Sequence, residues 1–132
     1  MSVRDWLRAE LPTLRRHAYL FIGEKTKADD AVLLTIQQFQ AEEAEPDRRR
    51  LHHILHCCIE YYEGPHADAD PKLFDAGLFR LTRIQRKLLL LVSLDRLTVA
   101  DAAEIVGLTR RDAERELAAA RHLLGAQPVV GR

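Results

Sequence analysis

Residues Thr98–Leu124, TVADAAEIVGLTRRDAERELAAARHLL, decide the fold of this chain. They read as helix, tight turn, helix. Thr98 suits an N-cap, because its hydroxyl accepts from a free backbone N–H of the first turn. Asp101 follows three residues on, the spacing of a capping box, although Glu or Gln closes that box better. Ala102, Ala103, Ile105 and Val106 supply the buried side of a short helix. Gly107 stands where the chain must turn, and glycine takes a positive φ at little steric cost. Thr109 caps a second helix, on which Ala113, Leu117, Ala120 and Leu124 recur at helical spacing. Small residues at Ala102, Ala103 and Ala113 let the two helices cross closely. This is the helix-turn-helix pattern.

Such a unit often lays its second helix in the DNA major groove. The charges here argue against that use. Phosphate neutralisation supplies much of the affinity for DNA and needs a net positive outer face. The cations of the stretch are Arg110, Arg111, Arg115 and Arg121, four in all. They are offset by five acids: Asp101, Glu104, Asp112, Glu114 and Glu116. One acid can accept from cytosine. Three at the entry of a reading helix repel the backbone.

Working outward, the 132 residues suffice for one domain or two very small ones. A chain of that size buries about 65–70% of its unfolded surface. Net charge is zero, which disfavours a strongly basic nucleic-acid binder. No run approaches the roughly 18–20 apolar residues of a membrane span, so no membrane partner is expected. The N-terminal MSVRDWLRAEL lacks a signal-peptide core. Cys57 and Cys58 are adjacent in a helical pattern, so no disulfide framework arises, which fits a reducing cytoplasm.

The pattern is helical throughout. The expected class is all-α, in two small helical lobes. Residues 1–63 form the first, 64–71 a linker rich in Pro, Gly and Asp, and 72–132 the second. In the first lobe Ser2 caps a short turn containing Trp6 and Leu7, and Pro12 opens a helix that Gly23 ends. Glu24–Lys27 reads as a polar connection, followed by a helix over 28–43 with Ala28, Val32, Ile36 and Phe39 inward. Three acids at its end oppose the macrodipole. Asp47 begins a third helix, whose stripe is Leu51, Ile54, Leu55, Cys58, Ile59 and Tyr62. In the second lobe, residues 72–79 suit a short helix. Thr82 and Gln85 form a capping box for a leucine-rich helix over 83–94 that precedes the helix-turn-helix. Residues 128–132 close the chain as a loop.

Two motifs now carry a resemblance. The second lobe, LFRLTRIQRKLLLLVSLDRLTVADAAEIVGLTRRDAERELAAARHLL, resembles region 4 of an extracytoplasmic-function sigma factor. The first lobe, with LPTLRRHAYLFIG and ADDAVLLTIQQF, is similar to region 2. More narrowly, LP-x-LRR-x-A with this region 4 resembles the sigma-factor-like output domain of PhyR-type general-stress response regulators. The resemblance spans about residues 3–124. It differs from sigma factors where DNA is read. Their reading helix carries Lys or Arg along positions where this chain has Ala113, Glu114, Arg115, Glu116, Ala119, Ala120 and Arg121, of which the last is the clear basic survivor. The helix from Asp47 is short for promoter melting and offers few exposed aromatics beyond Tyr61.

The resemblance implies a sigma mimic. Such a protein captures a small anti-sigma factor of the NepR type and thereby frees the true sigma factor. It is the output half of a two-component regulator whose C-terminal receiver is phosphorylated on Asp. The chain stops where that receiver begins, so a piece of a longer protein is expected. Two lobes on a linker could clamp one or two amphipathic helices. The expected contacts lie on inter-lobe faces: parts of the Asp47–Tyr62 helix, and Leu89, Val92 and Leu97 at the start of the second lobe. The burial habit of Leu and Val makes each of these three a core candidate as well. Under the alternative, a working sigma factor, the partners are RNA polymerase and promoter DNA, with Arg110, Arg111, Arg115 and Arg121 as DNA contacts. A small helical enzyme or metal protein is a third reading.

The remaining constellations have plain readings. His52/His56 and His53/Cys57 have the i, i+4 spacing of a zinc pair, but without a Cys-x-x-Cys they read as a solvated or partly buried helix flank. Neither cysteine has a helix N-terminus to lower its pKa. Arg48-Arg49-Arg50 reads as a solvated face. No catalytic, metal or cofactor residue is expected.

Overall fold

The computed structural model describes residues 2–62, 70–75 and 77–125. The chain divides into two compact units, Met1–Ala69 and Asp70–Arg132. The proposed linker falls mostly at 64–69, and the C-terminal loop at 128–132; both lie outside the described residues. All described regular structure is helical.

The first unit is a three-helix bundle of α1 (Val3–Ile22), α2 (Lys25–Ala41) and α3 (Arg48–Ile59), each packed on the other two. The Ser2 hydroxyl accepts from the Asp5 N–H at 3.1 Å and starts α1. Contrary to the expected short turn and new start, α1 runs through Pro12 without a break. Proline costs that turn one backbone bond. The apolar face Leu7, Leu14, Ala18 and Phe21 is buried on both sides of it, and Pro12 itself faces outward. Burial along twenty residues outweighs the missing bond. Gly23 ends the helix at φ 83°, its N–H donating to the Tyr19 carbonyl at 2.7 Å.

The string read as a connection is a cap. Glu24 accepts the Lys27 N–H at 2.8 Å and the Thr26 N–H at 3.0 Å, so α2 begins at Lys25. Those two bonds hold the Glu24 carboxyl below its usual range. Helix α2 ends at Ala41, before the acids that oppose its dipole, and Glu43 turns away at φ 52°. Asp47 caps α3 through the Arg49 and Arg50 N–H groups. The α3 stripe is buried from Leu51 to Ile59, and Trp6 packs on Phe39 at 5.5 Å between ring centroids.

The second unit opens with α4 (Pro71–Asp75) and a 3-10 turn, Leu78–Arg80, where one short helix was expected. Gly77, with φ 82°, separates them. The Thr82–Gln85 capping box is formed in both directions, at 3.2 and 3.1 Å. It starts α5 (Arg83–Leu89), which widens into a π turn at Leu90–Leu94. Asp95 N–H donates to Leu90 O, and Leu97 N–H to Leu91 O, both at 3.0 Å. Helix α6 (Val99–Val106) and helix α7 (Arg110–Gly125) follow. Gly107 turns between them at φ 79°, while Thr98 and Thr109 accept from the Asp101 and Asp112 N–H groups at 3.1 Å. The core is Leu88, Leu91 and Leu97 against Ala102, Ala103, Ala113 and Leu117.

The π turn closes through Arg96, held left-handed at φ 59°. A side chain bearing a Cβ pays about 1–2 kcal/mol there. Arg96 is exposed, so Arg96→Gly is expected to raise stability by about 0.5–1 kcal/mol after glycine's larger unfolded entropy is deducted. Urea unfolding reads this as a higher midpoint at unchanged slope.

Candidate partner-binding surfaces

The first unit carries an open groove of about 580 Å³ between α2 and the end of α3. Leu34 and Gln38 line one wall; Ile54, Cys57 and Tyr61 line the other. Its apolar rim is unusually bare. Leu34 is 38% exposed and Tyr61 81%, and the adjoining Leu33 is 57% exposed. Arg50 bridges the groove floor to Glu42 with two parallel bonds of 2.9 and 2.7 Å, and Gln38 adds a third at 3.2 Å. The Arg50 bond, then the Gln38 bond, hold the Glu42 carboxyl below its usual range, and Glu42 holds the guanidinium above its own. The pair is therefore complete above the ordinary carboxylate pKa and is lost only as pH falls through the lowered one. Cys58 turns inward, where burial raises its thiol pKa, while Cys57 is exposed on the groove.

The groove runs along α3, where contacts were expected, and also takes in Leu34 of α2, with the exposed Leu33 beside it. Their signal was present: they lie outside the stripe of Ala28, Val32 and Phe39, so a helix using that stripe must point both leucines away from its core.

In the second unit, Leu97 belongs to the buried core, and Leu89 and Val92 are half-buried against it. Arg110, Arg111, Arg115 and Arg121 are all exposed on α7. Two of them are already partnered within the helix. Arg110 Nε donates to Glu114 Oε1 at 3.0 Å, and Arg115 lies 3.7 Å from Asp112. Such exposed pairs add little stability, and with Glu116 the three acids leave the four arginines of α7 a net charge of only +1. On α5, Arg86 is buried with its guanidinium carbon 4.6 Å from the Phe79 ring centroid. Burial brings its pKa down to about 10, so it stays charged at neutral pH.

One expectation is overturned. His52 and His56 are not a solvated or partly buried flank of α3: both are buried, together with His17 of α1. The α1–α3 packing turns this side of α3 inward, a fact that i, i+4 spacing on one helix does not contain.

The fold matches three solved structures over nearly the whole chain. The fold is sigma-like. The sigma factor RpoE of Bartonella quintana, solved with the anti-sigma factor NepR, superposes with a TM-score of 0.79 at 22% identity, covering 98% of both chains. The PhyRSL–NepR complex of Sphingomonas sp. Fr1 gives 0.75 at 21% identity, covering 100% of this chain and 95% of that one. Bartonella quintana PhyR, an anti-anti-sigma factor complexed with NepR, gives 0.71 at 23% identity; this chain spans 51% of it. The sequence matches no protein-family model and no curated protein. Among the described residues, no helix of this sigma-like chain is long and apolar enough to cross a membrane.

Proposed function

We propose that this chain is a sigma-factor mimic that captures a NepR-type anti-sigma factor and so releases the true sigma factor. It acts as the output domain of a general-stress response regulator in the cytoplasm. It is a binding protein and not an enzyme. The observation that carries the reading is the self-neutralised α7: a sigma-like helix-turn-helix whose Arg110 and Arg115 are spent on Glu114 and Asp112. Mimicry needs the fold and not the DNA contacts. All three structural neighbours were solved with NepR bound, which supports an anti-sigma partner under either sigma-like reading.

The groove of the first unit suits an amphipathic helix of such a partner, laid with its apolar face on Leu34, Ile54 and Tyr61. In the second unit, the half-buried Leu89 and Val92 offer further contacts, with Leu97 supporting them from the core. The deciding experiment mixes the purified chain with a NepR-type anti-sigma factor and its sigma factor. A stable complex with the chain, and sigma released in proportion, supports partner switching. Binding to core RNA polymerase instead would establish the second reading, a working sigma factor, which the likeness to RpoE over both full chains favours.

A charge test separates the two independently. The unaltered chain is expected to bind duplex DNA weakly. Glu114→Lys with Glu116→Lys removes two acids and adds two cations on α7. That change should raise duplex affinity by about tenfold or more at low salt, with a steeper salt dependence, read by fluorescence anisotropy.

A further inference from the structure

We propose that the outer face of α1 is a docking surface separate from the groove, built for an acidic amphipathic helix of a partner protein. Arg4, Arg8, Leu11, Arg15, Tyr19 and Ile22 recur at steps of four, three, four, four and three residues. At 3.6 residues per turn they fall within a sector of about 80° and run about 27 Å along the helix. That repeat is the spacing of a helix–helix seam. None of the six belongs to the bundle core: the three arginines are exposed, and Leu11, Tyr19 and Ile22 are half-buried. The core takes another side of α1, through Leu7, Leu14, Ala18 and Phe21. The helix therefore carries two stripes, and the bundle buries one of them.

The charge of the seam says what fits it. Helix α1 carries four exposed arginines, Arg16 being the fourth, and two acids, Asp5 and Glu10. Glu10 turns to α3, where it accepts from Arg48 Nε at 2.8 Å. Asp5 is left against four cations. Residues 1–63 as a whole hold nine basic and eleven acidic residues, so positive charge is gathered on this face of an acidic unit. Further along, Arg15, Arg16 and Lys25 ring Tyr19 in an open recess of about 300 Å³. Arg15 Nε already donates to Asp29 of α2 at 3.2 Å, so the recess accepts a carboxylate. Arginine stems cover apolar surface, and each guanidinium can take a carboxylate through two parallel bonds. A helix with Glu or Asp beside a Leu stripe meets both needs: carboxylates for the arginines, and apolar side chains for Leu11, Tyr19 and Ile22. A nucleic-acid backbone meets only the first. It would leave the apolar positions uncovered and set phosphates beside Asp29.

The test titrates the full chain against a labelled synthetic helix, a leucine stripe flanked by glutamates, and reads fluorescence anisotropy. Binding is expected at low salt and should weaken steeply as salt rises. Arg8→Glu with Arg15→Glu should weaken it by about tenfold or more, since two attractions become repulsions. Arg4→Gln with Arg8→Gln, both exposed and outside the core, should weaken it by about threefold or more, and decides the matter if the first variant does not fold. Leu34→Asp, in the groove between α2 and α3, should leave it unchanged, so this surface stands or falls apart from the anti-sigma groove. The proposal is overturned by absence of binding, by binding that ignores both arginine variants, or by its loss in Leu34→Asp. Equal binding of the same helix with lysines for glutamates overturns it too. So does tighter binding of a duplex DNA that the arginine variants abolish, which would make the face a nucleic-acid surface.

Discussion

Leu34→Asp is expected to weaken capture of a NepR-type anti-sigma factor by about ten- to a hundredfold, or about 1.4–2.8 kcal/mol. Leu34 lines the groove and keeps over a third of its surface bare, so the folded chain loses little when it becomes charged. Exposed substitutions away from special features usually stay within about 0.5 kcal/mol of neutral. In a complex the same carboxylate would be buried against an apolar helix face, where an unpaired charge is strongly disfavoured. Tyr61→Ala should act in the same direction, since a large aromatic at the centre of a contact is a common energetic anchor. Titration calorimetry measures both, with the melting temperature as the folding control. Unchanged affinity in both variants would move the interface off this groove.

The largest stability effect is expected at Leu91→Ala, about 2–5 kcal/mol. Leu91 is fully buried in the core cluster of the second unit, where Leu88, Leu97 and Leu117 surround it. Three of its seven buried residues are alanines that allow close helix crossing, so only four leucines hold it. Alanines at a tight crossing cannot expand to fill the space a lost leucine leaves. A small domain has only about 5–15 kcal/mol in all. Urea unfolding should show a clear fall in midpoint. Leu123→Ala, an exposed leucine on α7, should shift it by about 0.5 kcal/mol or less.

What the residues alone made legible was local. Gly23 and Gly107 end helices at positive φ because the missing Cβ makes that conformation cheap, and Thr82 with Gln85 closes a box within four residues. The α3 stripe and the helix-turn-helix alanines are periodic, and periodicity tells which side faces in. The self-pairing of Arg110 and Glu114 follows from an i, i+4 spacing, so even the small net charge of α7 can be seen without coordinates.

Tertiary structure decided the rest, wherever one element's fate depends on another's surface. Pro12 is carried inside α1 because α2 and α3 bury the face on both sides of it. Leu97 belongs to the core because the π turn and Arg96 return the chain there. Leu33, Leu34 and Tyr61 are bare because no described element of the first unit covers that side of α2 and the end of α3. Helical spacing sets His52 and His56 on one face, but only the docking of α1 brings His17 against them. Local hydrogen bonds and helical period act over a few residues and are written in the sequence. Burial is a property of pairs of surfaces, and the sequence does not name the pairs.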